Sequence, residues 1–218
     1  SIQEEIERAL SIICNADIIL HGAGRTDAGV HARGMTAHFK TSSKVDCSAL
    51  EKGLNSLLPG AIRTLEASDQ PTDFHARFSA LAKTYQYTIF TGQVMPPDWR
   101  LYVHHLPFTL DTRQMERCLE ELLGTHDFSS FETAGSRDRN NTHGRGGVRT
   151  IYRVQLIEPE EHIVQLRFTG DGFLRHMVRN ITGTVLEVGR GKRTAENFVE
   201  ILRGKDRNQA GATAPSCG

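Results

Sequence analysis

No apolar run approaches the roughly 18–20 residues that a helical membrane span needs. The best candidates, Ile18–Leu20 and Val164–Phe168, are short or broken by polar residues. The chain opens on Ser-Ile-Gln-Glu-Glu, acidic where a secretory signal would be basic. There is no C-x-x-C pair, and Cys14, Cys47, Cys118 and Cys217 fall at no zinc-ligand spacing. A chain of 218 residues buries enough surface to fold without disulfide or metal staples. These absences predict a soluble globular protein of a reducing compartment, the cytoplasm, with no membrane partner and no metal requirement. An excess of charge is also missing, since 26 Lys and Arg balance 26 Asp and Glu. That excludes a generally sticky polyanion binder, but the distribution is uneven: residues 1–73 carry −3 and residues 74–218 carry +3. Two stretches, Arg137–Arg153 and Arg167–Arg193, are locally basic. A phosphate backbone responds to such patches and not to the average, although the residues alone favour a solvated surface.

Periodicity divides the chain into two halves, 1–73 and 80–218. In the first, Ile2, Ile6, Leu10 and Ile13 form one helical stripe. Asp17–His21 and Met35–Phe39 read as strands. Asp46 caps a helix through Leu50, Leu54 and Leu57 that stops at Pro59-Gly60, and Ala61–Ala67 is a further strand. The second half reads as a strand over Leu81–Phe90 and a helix capped by Asp111, then a long loop over Thr133–Gly147. Strands at Arg149–Ile157 and Ile163–Thr169, a helix over Phe173–Val188 and a short helix at Ala195–Leu202 complete it. The expected class is α+β with mostly antiparallel sheet, each half a ferredoxin-like β-α-β-β-α-β unit short of one outer strand. The order α-β-β-α-β followed by β-α-β-β-α therefore predicts a chain clipped at both ends.

His21-Gly22-Ala23-Gly24-Arg25-Thr26-Asp27-Ala28-Gly29-Val30-His31-Ala32 is the most informative stretch. Its glycines let the backbone turn tightly and approach a ligand closely. Asp27 stands where a dinucleotide fingerprint would place its third glycine, and no Gly-Lys-Ser/Thr of a phosphate loop follows. On spacing alone, Asp27 reads as a turn residue bonding its own backbone at least as well as a catalytic carboxylate. His104, His105, His126 and His143 lack the helical spacing or carboxylate partners of a metal site.

Five segments in order resemble the TruA-type tRNA pseudouridine synthases: Gly24–Ala32, Asp73–Ala80, Lys83–Tyr87, Val148–Ile151 and Phe173–Asn180. The likeness covers nearly the whole chain; the Tyr-Asp-Gly and Gly-Trp-Gln strand that opens most members is absent, and Ser216-Cys217-Gly218 is not their usual ending. The resemblance implies a cofactor-independent isomerase acting on the anticodon stem-loop of tRNA as a homodimer. It implies Asp27 as the catalytic carboxylate, Arg179 as its ion-pair partner and Tyr85 as the ring that stacks on the target base. Arg25 is then the residue that enters the gap left by the extruded base or grips its phosphate. Arg175 and His176 become RNA contacts, with Arg175 and Arg179 on one side of the Phe173–Val188 helix, and the two basic stretches grip the stem.

A non-catalytic RNA-binding module built on the same halves is the alternative, although no RNP-type run is present. A carboxylate-dependent nucleoside or glycoside hydrolase is a third reading, which free base as a product would reveal.

Overall fold

The computed structural model describes residues 1–136 and 144–218, which form two compact units. The first comprises Ser1–Thr26 and Ala32–Ala80; the second comprises Asp27–His31 and Leu81–Gly218. Among the described residues, five α-helices and two sheets give an α+β protein.

In the first unit, helix α1 (Ile2–Cys14) opens on a capping box between Ser1 and Glu4 and closes at Asn15 in the left-handed conformation. Helix α2 (Cys47–Leu57) starts where Asp46 accepts from the Ala49 N–H at 2.8 Å. The two helices pack through Leu10, Cys14 and Leu54, with Ile18 and Leu20 beneath them. Of the expected strands, only His21–Gly22 (β1) and Ala37–His38 (β2) pair, antiparallel and two residues long. Ala61–Ala67 makes no ladder. The Asn55 side chain on α2 takes both backbone groups of Thr64, each at 2.8 Å, in place of a neighbouring strand.

The second unit carries the larger sheet: β3 (Lys83–Phe90), β4 (His104–His105), β5 (Gly124–Asp127), β6 (Val148–Glu160) and β7 (Ile163–Gly170). Their order is β4-β3-β7-β6-β5, antiparallel except for the short β3–β4 pair. The arrangement β3-β7-β6 is the ferredoxin-like core that the periodicity predicts; β4 and β5 are additions it does not. Val164, Leu166 and Phe168 alternate inward along the central β7. They share one core with helices α3 (Thr112–Glu120), α4 (Met177–Gly189) and α5 (Ala195–Gly204). Helix α4 starts at Met177 and not at Phe173, because His176 adopts φ 60°, ψ 5° and blocks helical continuation. Arg175 therefore lies outside the helix, and the shared face expected for Arg175 and Arg179 does not exist.

Candidate active site

The segment Asp27–His31 packs with the second unit. It begins as a turn in which the Val30 N–H donates to the Asp27 carbonyl at 3.1 Å. Gly29 has φ +83°, and a Cβ there would stand 2.5 Å from the Ser216 Oγ, so the turn needs glycine on two counts. His31 anchors the far end, with Nε2 3.1 Å from the Leu101 carbonyl oxygen and its ring 4.5 Å from that of Tyr102. Backbone conformation and packing thus leave the Asp27 side chain pointing at the start of α4.

Both carboxylate oxygens of Asp27 are engaged there. Arg179 Nη1 donates to Oδ2 at 2.7 Å, and His176 Nε2 lies 3.1 Å from Oδ1. All three side chains keep between a fifth and a third of their surface exposed, so a ligand can reach the cluster. His176 is the N-cap of α4, yet its side chain makes no capping bond and goes to Asp27 instead. A non-glycine residue held in the left-handed region costs on the order of 1–3 kcal/mol, and here that conformation serves to aim the imidazole. Tyr85 on β3 stands opposite Phe168, with its ring edge-on to Phe173 at 5.0 Å. Burial, and then the charge of Asp27, raise its phenol above the ordinary range. Tyr87 is a core residue, 3% exposed, and its hydroxyl donates to the Pro215 carbonyl at 2.9 Å.

The structure therefore gathers Asp27, Arg179, His176 and Tyr85. Arg175 is exposed, and its carbonyl accepts from the Thr133 N–H at 3.1 Å and hydroxyl at 3.3 Å. Arg25, in the first unit, is exposed. Several cations of the basic stretches serve the fold: Arg145 pairs with Asp171, Arg193 with Glu187, Arg167 donates to Gln86 at 2.9 Å, and Arg190 lies 4.1 Å above the Phe108 ring. Arg137, Arg139 and His143 lie outside the described residues. His105 and His126 meet backbone carbonyls at 2.8 Å. Among the described residues no three side chains gather as a metal site, and no helix is long and apolar enough to cross a membrane.

A family model described as tRNA pseudouridine synthase matches residues 1–79 and 119–218. The chain belongs to that family. It is 53% identical to tRNA pseudouridine synthase A 1 of Desulfotalea psychrophila, over all of this chain and 87% of that protein. It is 43% identical to tRNA pseudouridine synthase A of Anoxybacillus flavithermus, over all of this chain and 86% of the relative. With the Citrifermentans bemidjiense enzyme of the same name the identity is 42%, over all of this chain and 85% of the other. Two features of the cluster around Asp27 escape sequence reasoning. One is the direct bond of His176 to Asp27, hidden because a left-handed N-cap has no periodic signature. The other is the C-terminal tail: Ala214 donates its N–H to the Arg179 carbonyl at 3.1 Å and accepts from Arg179 Nε at 2.8 Å.

Proposed function

We propose that this tRNA pseudouridine synthase isomerises uridine in the anticodon stem-loop, with Asp27 acting at the sugar of an extruded nucleotide. The observation that carries the reading is the doubly held carboxylate of Asp27. Uridine and pseudouridine have the same composition: the C1′–N1 bond breaks, a C1′–C5 bond forms, C5 gives up its proton and N1 ends with one. Whether the carboxylate adds to C1′ or takes a sugar proton, it must be fixed at one distance from the ribose. Arg179 and His176 do this through separate oxygens. Tyr85 supplies a ring beside the carboxylate on which the detached uracil can stack while it turns. Arg175 and Arg25, both exposed, are assigned to RNA contact, Arg25 at the gap left by the flipped base. The family likeness supports a homodimer, a cytoplasmic location and a reaction with no cofactor.

The test is tritium release from tRNA labelled at C5 of uridine. The parent chain releases it, and Asp27→Asn lowers the rate on the order of 10³-fold or more, with the label mapping to the anticodon stem-loop. If neither protein releases tritium while both bind tRNA, the RNA-binding alternative replaces this reading. Free uracil as product would make the enzyme a hydrolase.

A further inference from the structure

Arg179 is aimed from behind. Its Nε donates to the Ala214 carbonyl, and the Ala214 N–H donates to the Arg179 carbonyl, so the backbone of one tail residue brackets it from two sides. What fixes that peptide is a side-chain network one residue further along both segments. Asn180, fully buried on α4, donates Nδ2 to the Phe131 carbonyl at 2.7 Å. Its Oδ1 accepts from Thr213 Oγ1 at 2.6 Å and from Arg207 Nη2 at 3.1 Å. Arg207 Nη2 also donates to Thr213 Oγ1 at 3.2 Å, while Nη1 holds the carbonyls of Ala210 at 3.3 Å and Gly211 at 3.0 Å. The Gly211 N–H donates to Thr184 Oγ1 at 2.9 Å, and that hydroxyl donates to the Asn180 carbonyl at 2.8 Å. The tail is therefore tied to the first turns of α4 at Gly211 and Thr213, immediately before it reaches Arg179.

A second observation says why such ties are needed. Beside the network lies a cleft of about 380 Å³ bordered by Thr133, His176, Asn180, Arg207 and Thr213. Among the described residues, Gly211, Ala212 and Thr213 of the tail line that cleft. A peptide edging an open cleft moves unless hydrogen bonds hold it, and a shift of about 1 Å at a catalytic group can cost on the order of 100-fold in rate.

We propose that Thr213, with Asn180 and Arg207, is a positioning element that holds the Ala214 peptide and so fixes the Arg179 guanidinium on Asp27. This inference rests on the reading of Asp27 as the catalytic carboxylate. Neither Thr213 nor Arg207 touches Asp27; they act through Arg179. The hydroxyl is the part that matters, because it bonds the Asn180 amide directly from the residue next to Ala214, whereas Arg207 reaches the tail through the carbonyls of Ala210 and Gly211.

The experiment compares Thr213→Val, Thr213→Ala and Thr213→Ser with the parent and Asp27→Asn in steady-state tritium release from C5-labelled tRNA. Melting is followed in parallel. Thr213→Val and Thr213→Ala lower kcat about tenfold, the lower end of what loss of an outer-shell partner does. KM for tRNA stays within twofold and the melting midpoint within a few degrees. Thr213→Ser recovers most of the rate, because it keeps the hydroxyl. Parent kcat in both Thr213→Val and Thr213→Ala overturns the proposal. So does a Thr213→Ser variant as slow as Thr213→Val, or a loss confined to KM. An Asp27→Asn protein as active as the parent sinks the reading of Asp27 itself, a result distinct from any of these.

Discussion

The two units hold themselves together by different means. Among the described residues, the first has a core cluster of seven buried apolar side chains, with two helices and a two-residue ladder. The second gathers 26 around a five-stranded sheet, with Phe128, Phe131, Phe168 and Phe198 wholly buried. The segment bearing Asp27 packs with the second. Close-packed interiors resist displacement, and a catalytic constellation needs its groups held to a fraction of an ångström. The glycine-rich loop is thus read where it meets a rigid scaffold, and its sequence neighbours before Asp27 belong to a lighter one.

The comparison breaks most sharply at Phe131, stacked on Phe198 at 5.6 Å. Phe131→Ala costs about 3–5 kcal/mol and lowers the melting midpoint by roughly 10 °C at this chain length. Because its backbone carbonyl holds Asn180, activity falls with it even below the melting range. Leu54→Ala in the first unit costs less, about 2–3 kcal/mol, since it borders a smaller cluster. Its rate at low temperature stays at the parent value, while amide protection is lost from α1 and α2 and kept in α4. Equal loss of rate in both variants would erase the distinction between the units.

Gly183→Ala sharpens the same point without removing a core side chain. A Cβ at Gly183 would stand 1.8 Å from the Ala212 carbonyl oxygen, so the tail must move off α4. Overpacking of this kind costs about 1–3 kcal/mol, and the displaced tail releases Arg179. Tritium release falls by on the order of 100-fold, out of proportion to the modest drop in melting midpoint. A variant that melts lower and keeps its rate would show that the tail does not position Arg179.

Much of this architecture was legible in the sequence. The stripe Ile2-Ile6-Leu10, the caps Asp46 and Asp111 and the alternation along Ile163–Thr169 all state local physics that tertiary packing did not override. Asp27 and Arg179 were legible only as parts of motifs, for nothing in a carboxylate between glycines says which cation, 152 positions away, will meet it. Other misreadings have definite causes. Phe173 and Met177 keep an i, i+4 spacing across a backbone that breaks at His176, so periodicity extended the helix by a turn. Ala61–Ala67 has the alternation of a strand, but the backbone groups of Thr64 at its centre are taken by an asparagine side chain. The Asn180–Thr213–Arg207 network uses residues common at any surface, and only the fold makes them neighbours.

The smallest expected effect lies in the pH dependence of stability. Burial, and then the nearby Glu196 carboxylate, push the Cys118 thiol of the second unit from an ordinary 9.0 up to about 12. Burial likewise raises the Tyr87 phenol well above its ordinary 10.0. A raised pKa means that the folded chain keeps a proton the unfolded chain has released, so unfolding sheds protons and stability falls as pH rises above 9. In the first unit the sign reverses. His38 is lowered from 6.5 by burial and by the neighbouring His75 and His21, so stability there falls as pH drops below 6.5. His104, lowered by burial in the second unit, adds to the acid side, which leaves the alkaline limb as the one that separates the units. Denaturant midpoints between pH 8.5 and 10 then decline for the parent by about 1 kcal/mol of stability. Cys118→Ala flattens that decline. Identical slopes for the two proteins would mean that the buried thiol is not what ties the second unit's core to a protonated state.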